Sequence, residues 1–436
     1  MRIDQVREAV HQVTVGDMAK AAKPNLSDED WTSKFFEAST LFSPSAPINE
    51  HDLFAGRSRQ IKKVVEAVME RGKHAVLFGE RGVGKTSLAG VFTGLFPSTL
   101  QYFKLIREQV DPSDDFSSIW RKVFRDIHVS QSHIDGTSVV PLSEFYPNSI
   151  FPDDVRRELV NLFRPSDMPV IVIDEFDKAK NKEVHTLMAN TIKSLSDYSV
   201  NATVVLVGVA DDLNDLIGEH ESITRCIEQI LMPRMHNTEM REILDKRVPK
   251  LGMRMHADAY YKIIELSRGL PSYVHLLGLY SVQSAINRKS LEVLEEDVDS
   301  AIQSALERSQ ESIQEAYAKA THSNRSDNLY RHVLLACALA TPDDRGQFTP
   351  TSVCDPLSDI LKKQVKIDAF QQHLKKFITE ERSSILLRRG QDRAYKFRFR
   401  DPMMQPYVIM KGIEDGLVGK TAMKALSFPE QPELNL

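Results

Sequence analysis

The stretch from His74 to Leu88, HAVLFGERGVGKTSL, constrains this chain more than any other part of its sequence. A short apolar run ends at Gly79, and residues 79–86 fit the phosphate-binding pattern G-x-x-x-x-G-K-[ST]. In that pattern a buried strand leads into a tight loop, whose glycines let backbone N–H groups turn towards a polyphosphate. The helix that follows points its positive N-terminal end at the same anion. The sequence therefore predicts a strand, a phosphate-binding loop and a helix.

The loop also predicts a ligand set. The Lys85 ammonium is expected to reach the β- and γ-phosphates of ATP, and the Thr86 hydroxyl is expected to bind Mg²⁺. A chance match in a glycine-rich turn is disfavoured because the strand-then-helix context is the one that the motif requires. The remaining predicted nucleotide contacts of the loop are Gly79, Glu80, Arg81, Gly82, Val83, Gly84 and Ser87.

A second motif is the apolar run 168–173, which ends in Asp174 and Glu175. A strand this apolar is typical of a parallel sheet that is buried on both faces. With a phosphate loop upstream, the pair is interpreted as a Walker B element. Asp174 would hold the Mg²⁺ through water, and Glu175 would polarise the attacking water. Without that loop, an apolar strand that merely ends in two acids would be the preferred interpretation.

Composition limits the class of protein. The 436 residues suffice for about two or three domains. A net charge of -5 argues against a protein that coats nucleic acid indiscriminately. The three cysteines fit no metal spacing or disulfide framework, which favours a reducing cytoplasm. The N-terminus lacks the apolar core of a secretory signal, and no run approaches the roughly 18 apolar residues of a membrane span. We therefore expect a cytoplasmic protein without membrane contact.

Periodicity and turn signals divide the chain. Apolar residues at helical spacing dominate the region after the predicted sheet, which favours an α-helical lid. Near the C-terminus, helices are followed by two alternating strands, which predicts a winged helix. The predicted segments are an arm and linker (1–52), an α/β nucleotide domain (53–236), the lid (237–321), the winged-helix domain (322–413) and a tail (414–436).

The predicted wing is basic. A patch of this kind attracts phosphates, and wings often lie along a DNA backbone. The alternative is the solvated face of an edge hairpin, where basic residues prevent aggregation. The candidate contacts to double-stranded DNA are Arg388, Arg389, Arg393 and Lys396.

Three further features lie around the predicted site. The turn Phe54-x-Gly56-Arg57 precedes a helix and is well placed to stack on a nucleotide base, although an ordinary helix-start turn is the alternative. Arg225 is a candidate arginine finger that reaches a neighbouring subunit's nucleotide, and Arg234 is a second candidate. For Arg225, a surface salt bridge or a contact to another partner stays an open alternative.

Taken together, these motifs and the turn Gly269-Leu270-Pro271 resemble an AAA+ type ATPase. Within that superfamily they are most similar to the initiator (origin-recognition) clade and to the related STAND signalling ATPases. The resemblance covers residues from about 53 to 413. It implies an α/β fold with a five-stranded parallel sheet of order 5-1-4-3-2, and a nucleotide at the carboxyl ends of the strands.

The resemblance also implies residue roles. Pro271 would touch the adenine and report nucleotide state to the lid, while Gly56 and Arg57 would flank the base. Two departures stand out. The strand 201–210 lacks the usual polar sensor at its end, where Asp211 is a weak candidate, and no arginine follows the Gly-Leu-Pro turn, although Arg268 precedes it. Slow hydrolysis of ATP is therefore expected.

These features lead to one functional hypothesis. We expect an ATP- and Mg²⁺-dependent switch that couples nucleotide state to homo-oligomer assembly and to binding of DNA or of an effector protein encoded nearby. On resemblance alone, phage defence or control of mobile elements is the expected role. The alternatives are an ATP-binding signalling scaffold without DNA binding, a replication-initiator-like DNA-binding ATPase and a small-molecule kinase.

Overall fold

A computed structural model describes most of the chain. The described residues are 26–44, 53–91, 103–133, 136–164, 167–210, 213–217, 221–323, 329–391 and 394–418.

The first half of the chain alternates strands and helices. Its elements are α1 (Asp28–Leu41), α2 (Ser58–Met69), β1 (His74–Gly79), α3 (Lys85–Val91), β2 (Phe103–Gln109), α4 (Phe116–Asp126), β3 (His128–His133), β4 (Gly136–Pro141), α5 (Pro152–Leu162), β5 (Met168–Asp174), α6 (Lys182–Asp197), β6 (Thr203–Val209), α7 (Asn214–Ile217) and β7 (Ile227–Leu231).

The second half is mainly helical. It contains α8 (Asn237–Asp245), β8 (Arg254–Met255), α9 (Ala257–Ser267), α10 (Pro271–Asn287), β9 (Glu292–Val293), α11 (Glu295–Glu307), α12 (Glu311–Thr321), α13 (Tyr330–Leu339), α14 (Cys354–Leu361), α15 (Gln371–Phe377), β10 (Leu386–Gln391), β11 (Ala394–Phe399) and α16 (Met404–Glu414).

Five parallel strands form the central sheet, in the order β2-β5-β6-β1-β7. Counted by position among the sheet strands along the chain, this order is 5-1-4-3-2 when it is read from the β7 edge. The predicted strand order is therefore confirmed. Because all five strands are parallel, their carboxyl ends meet at one edge of the sheet, where ligands bind in open α/β sheets.

Helices cover both faces of this sheet. On one face α4 contributes a stripe of buried apolar side chains at helical spacing, including Trp120 and Phe124, which pack with Ile171 and Ile173 of β5. On the other face, Leu77 and Val205 belong to a second core. That second core continues through α8–α12 into the C-terminal residues 329–418, called the C-terminal block below. The nucleotide-site edge and the C-terminal block are therefore joined by continuous packing.

Some local predictions differ from the structure. The serine-, proline- and glycine-rich sequence of residues 128–150 favours a surface insertion, but β3 and β4 pair there as an antiparallel hairpin. Apolar spacing predicts a helix over 365–380, which is shortened to α15 because a 3-10 turn at Ile367–Ala369 precedes it. The segment before residue 365 lacks a clear helical pattern and predicts a loop, but it contains α14. The C-terminal block thus holds three helices, a hairpin and a closing helix, and its assignment as a winged helix stays a prediction.

Across the described ranges, no helix is both long enough and apolar enough to cross a membrane.

Candidate nucleotide site

The phosphate-binding loop is built as its sequence requires. All six residues of β1 are buried, and α3 begins at Lys85 directly after the loop. Gly82 and Gly84 have φ angles of 83° and 93°, which side chains other than glycine adopt only with strain. A Cβ on Gly79 would lie 2.4 Å from the carbonyl oxygen of Met232. Strand, loop and helix therefore follow each other as predicted, and the loop leaves no room for larger residues at its first position.

A cavity of about 670 Å³ lies over this loop. At one end, residues 81–87 of the loop and the carboxylates of Asp174 and Glu175 line it. Its lining also includes apolar residues, namely Phe54, Ala55, Ile243 and Pro271, together with His275. The cavity therefore combines a phosphate-binding loop with apolar walls, which suits a ligand that has an anionic part and an apolar part. Of the predicted nucleotide contacts, Gly56, Gly79 and Glu80 do not line the cavity.

Lys85 lies under the loop. Its ammonium donates to the carbonyl oxygens of Gly79 at 3.1 Å and Glu80 at 2.7 Å. Burial lowers the pKa of this lysine to about 8, although the carboxylates of Asp177, Asp174 and Glu80 oppose that shift. A buried ammonium with only carbonyl partners is poorly compensated, so a phosphate group would bind it favourably.

Arg57 lines the cavity, but its guanidinium is not an exposed cation. Its backbone is left-handed, with φ 64°, and its guanidinium is buried and donates to the carbonyl oxygen of Val83 at 2.8 Å. Burial lowers the pKa of Arg57 to about 10. The backbone amides of Gly56 and Arg57 are held by Glu242 and Glu239 of α8. This turn therefore connects the phosphate loop to α8 through hydrogen bonds.

The Walker B carboxylate has a cationic partner that the sequence did not indicate. Asp174 is 1% exposed, and its Oδ2 accepts a hydrogen bond from Arg107 Nη2 of β2 at 2.9 Å. The same nitrogen lies 3.3 Å from the carbonyl oxygen of Thr86. Arg107 therefore bridges the Asp174 carboxylate and the backbone of Thr86.

These residues fit a magnesium site. A buried carboxylate beside the first turn of the phosphate-loop helix, with the Thr86 hydroxyl nearby, offers the hard oxygen donors that Mg²⁺ prefers. Mg²⁺ is commonly bound by one or two such groups together with substrate phosphates. Bound there, the ion would neutralise charge on the phosphates. Because Arg107 neutralises the same carboxylate, it must share Asp174 or move when the ion binds.

Glu175 is half-exposed and is paired away from the loop. Its carboxylate lies 2.6 Å from the Lys178 ammonium, and the two residues are 38% and 42% exposed in their side chains. This hydrogen bond raises the pKa of Lys178. The backbone of Glu175 is left-handed, with φ 57°, a conformation that is uncommon for a residue with a side chain. Lys178 therefore holds Oε2, one of the two carboxylate oxygens that could accept a proton from water.

Asp177 and His275 were also missed from the sequence. Asp177 Oδ1 accepts from the Val209 amide at 2.8 Å and so ties the end of β6 to the Walker B turn. Its position three residues after Asp174 was the available signal. His275 lies one helical turn after Pro271, on the same face of α10, and that spacing could have placed it in the site.

The three arginines that the sequence offers as candidate fingers or sensors differ in burial and in hydrogen-bond partners. Arg225 is 74% exposed in its side chain and lies 2.6 Å from Asp197. Arg234 is buried, and its Nε donates to Glu80 at 2.7 Å, so it does not reach outward. Arg268 is buried and donates to the carbonyl oxygen of Ala340 at 3.1 Å, outside the cavity lining. Asp211 lies outside the described residues.

The basic hairpin residues fall on two faces. Arg389 is directly opposite Lys396, so both lie on one face together with Arg398. Arg388 is opposite the buried Phe397 and lies over the Tyr395 ring, 4.4 Å from its centroid. Lys396 is also 2.8 Å from Asp343. Arg393 lies outside the described residues, and none of the other three candidates lines the nucleotide cavity.

Comparisons with known proteins agree with this site. The family model for Novel STAND NTPase 1 (nSTAND1) matches residues 47–385. No curated protein matches the chain.

Solved structures supply the comparison of folds. The Walker-type ATPase PABY2304 of Pyrococcus abyssi is 16% identical and superposes with a TM-score of 0.50, covering 84% of this chain and 99% of that one. Cdc6p from Pyrobaculum aerophilum is 13% identical, with a TM-score of 0.45 over 87% of this chain and 99% of that one. The superposition on the Pyrococcus abyssi protein shows that the two chains share a fold.

The pairing of Arg107 with Asp174 leads to a prediction about metal affinity. Arg107→Gln removes a positive charge from beside the Asp174 carboxylate, so Mn²⁺ should bind about tenfold more tightly in the presence of a non-hydrolysable ATP analogue. Electron paramagnetic resonance of free Mn²⁺ measures this affinity. The control is Arg125→Gln, since Arg125 is 63% exposed and lies 3.8 Å from Glu108. Weaker Mn²⁺ binding by Arg107→Gln would mean that the arginine supports the metal site.

Proposed function

Because the chain belongs to the Novel STAND NTPase 1 family, we propose that it is an ATP-driven molecular switch. In this proposal the nucleotide at the phosphate loop governs the contact between that loop and the C-terminal block. The observation that carries the proposal is a buried network in which the phosphate loop, the end of β7 and α16 are joined by the side chains of Glu80, Arg234 and Gln405. We call this network the latch.

The charged side chains of the latch are shielded from water. Arg234 is 5% exposed and Glu80 is 6% exposed. Arg234 Nη1 donates to Gln405 Oε1 at 2.5 Å and to the carbonyl oxygen of Arg268 at 3.2 Å. Removing one partner of a buried ion pair leaves an uncompensated charge, which is strongly destabilising. The latch is therefore expected to have two states, closed or separated with rehydration of the charges, rather than a range of loosened ones.

Other contacts surround the latch. Arg81 of the loop lies 3.5 Å from Asp401. A Cβ on Gly82 would lie 3.1 Å from the sulfur of Met403, so this loop residue packs against the C-terminal block. The Tyr273 hydroxyl of α10 donates to the carbonyl oxygen of Met403 at 2.8 Å. The loop that binds phosphates is thus also the surface on which the C-terminal block rests.

Glu80 links the two events. Its carbonyl oxygen accepts a hydrogen bond from Lys85, and its carboxylate holds Arg234. When Lys85 turns to a γ-phosphate, the Glu80 carbonyl loses that partner, and the loop adjusts around the phosphates. A nucleotide shifts such an equilibrium only by its difference in affinity for the two states. The closed latch is expected to suit the diphosphate, and the triphosphate is expected to favour release.

Hydrolysis is the step that returns the switch to its closed state. Mg²⁺ bound by Thr86 and Asp174 would neutralise the phosphates. Lys85 would hold the γ-phosphate, and Glu175 would accept a proton from the attacking water. This chemistry distinguishes the proposal from a small-molecule kinase, which consumes ATP only when an acceptor is present.

Replacement of the proposed base tests hydrolysis. Glu175→Gln should lower ATP turnover by about a hundredfold because the amide cannot take up the proton. ATP affinity should be unchanged, since Glu175 does not hold the phosphates. Phosphate release without any added acceptor measures the rate, and titration calorimetry measures binding. Glu183→Gln, on the exposed start of α6, is the control. Undiminished turnover in Glu175→Gln would rule out this role.

A change within the latch tests the switch. Gln405→Ala removes one hydrogen bond to a buried guanidinium, so the closed state should weaken and a fluorescent ADP analogue should dissociate about tenfold faster. Stopped-flow displacement by unlabelled ADP gives this rate. The matched control is Gln372→Ala on the exposed side of α15. An unchanged dissociation rate in a folded Gln405→Ala protein would separate the latch from nucleotide exchange.

DNA binding is a second candidate function. Like charges directly opposite on a hairpin are destabilising, and Arg389 opposite Lys396 is such a pair. Asp343 pairs with Lys396 at 2.8 Å. A phosphate lying across the hairpin would be attracted by both basic side chains, which favours contact with a nucleic-acid backbone on this face.

Salt dependence tests that candidate. The double variant Arg389→Ala with Lys396→Ala should weaken binding to duplex DNA and reduce the slope of log K against log salt by about 2. Fluorescence anisotropy at several salt concentrations measures both. The charge-matched control is Arg59→Ala with Lys62→Ala on exposed α2. If DNA binding is absent or unaltered, the signalling scaffold without DNA is the better description.

Assembly and partners complete the proposal. Release of the C-terminal block would expose the loop side of the nucleotide site, which another copy of the chain could then cover. Arg225, exposed and held only by a surface ion pair to Asp197, is the proposed finger for a neighbouring subunit's nucleotide. The segment boundaries, an effector encoded nearby and a role in phage defence or mobile-element control stay predictions.

A further inference from the structure

We infer that His275 recognises the nucleobase, by donating a hydrogen bond from its Nε2–H to a ring nitrogen of adenine. The inference rests on the proposed function, since it takes ATP as the ligand of this cavity. It adds a residue that selects the base, whereas the loop and the Walker B carboxylates recognise only phosphate and metal.

The position of His275 follows from helix geometry. Residues three and four apart on a helix share a face, so His275 projects from the same side of α10 as Pro271 and Ser272. All three line the cavity. Pro271 and Ser272 lie against the phosphate loop, 3.8 Å and 3.2 Å from where a Cβ on Gly84 and on Gly82 would stand. His275 lies one helical turn further along α10, so with the phosphates at the loop we place the base beside His275.

The tautomer of the imidazole is set by a second contact. The backbone amide of Ser43, just after α1, donates to His275 Nδ1 at 3.3 Å. A ring nitrogen that accepts a hydrogen bond carries no proton, so the proton of the neutral ring is on Nε2. Burial among apolar groups lowers the pKa of His275 to about 3, with a smaller contribution from Arg247. The ring is therefore neutral in the physiological range, with Nε2 as a donor.

That donor lacks an acceptor. His275 is 2% exposed, and Nε2 is buried without a hydrogen-bond partner among the described residues. A buried donor without a partner costs free energy that an incoming acceptor restores. The ring is held in place by Ser43 on one side and by an edge contact to Phe42, with 6.2 Å between the ring centroids. The protein thus fixes the tautomer and the position of the ring before a ligand binds.

The surroundings of this donor favour adenine. Phe54, Ala55, Ile243 and Pro271 line the same cavity and offer apolar contacts that suit the faces of a purine. Adenine accepts hydrogen bonds at N1, N3 and N7. Guanine also accepts at N3 and N7 but carries an N1–H donor, so the donor of His275 discriminates between the two purines only where it meets N1. A lone neutral donor in an apolar slot therefore selects by matching an acceptor on the base.

Atom-by-atom analogues of ATP test the inference. Titration calorimetry with the full chain compares ATP with 1-deaza-, 3-deaza- and 7-deaza-ATP, each of which replaces one acceptor nitrogen by C–H. One of the three should bind about five- to tenfold more weakly than ATP, as expected for the loss of a single hydrogen bond in a buried site. If all three bind as tightly as ATP, His275 does not read a ring nitrogen and the inference fails.

Variants assign the effect to the histidine. In His275→Leu the penalty of that analogue should vanish, whereas His275→Gln, whose amide can still donate, should retain part of it. His128→Leu, exposed on β3, is the control. A penalty that persists in a folded His275→Leu protein overturns the inference. If His275→Leu does not fold, the same comparison is made with His275→Gln and His275→Asn, where an unchanged penalty in both would contradict the role.

The two proposals fail differently. ATP that binds but shows no penalty for any deaza analogue contradicts the base recognition and leaves the switch intact. A protein that binds no ATP at all contradicts both.

Discussion

The buried ion pair between Glu80 and Arg234 is the contact on which the organisation of this molecule depends. Glu80 belongs to the phosphate loop, and Arg234 follows the last strand of the sheet and also contacts Gln405 of the C-terminal block. The two charges lie 2.7 Å apart and are shielded from water, so they are stable only while each keeps its partners. The nucleotide site and the C-terminal block are therefore linked by a contact that is either made or broken.

Two cations close to the phosphate loop are likewise held by specific partners. Lys85 is held by two loop carbonyls, and Arg107 by the Walker B carboxylate. In the proposed switch, phosphate would compete with these carbonyls for Lys85, and Mg²⁺ would compete with Arg107 for Asp174. The free energy of these exchanges would set how readily the switch changes state.

The sequence predicted the parts of the fold that depend on local pattern. The loop around Gly82 and Gly84 needs glycine for its backbone angles, and β5 needs a continuous apolar run because it is buried on both faces. The strand order followed from the resemblance. Contacts between distant segments, such as Arg107 with Asp174 or Ser43 with His275, were not predictable, because no local pattern distinguishes the arginine or histidine that will make such a contact from the others in the chain. For the same reason the sequence did not show that the basic residues of the hairpin lie on two faces, which follows from the strand register.

The most direct test of the account is hydrogen–deuterium exchange of the C-terminal block in three states: without nucleotide, with ADP, and with a non-hydrolysable ATP analogue and Mg²⁺. The peptides that matter cover α16 and the turn at Gly346, where an added Cβ would lie within 2.3 Å of the Glu80 carboxylate. If the latch responds to the γ-phosphate, these peptides are protected in the first two states and exchange faster with the ATP analogue. Identical exchange in all three states, with binding of both nucleotides verified, would contradict the switch.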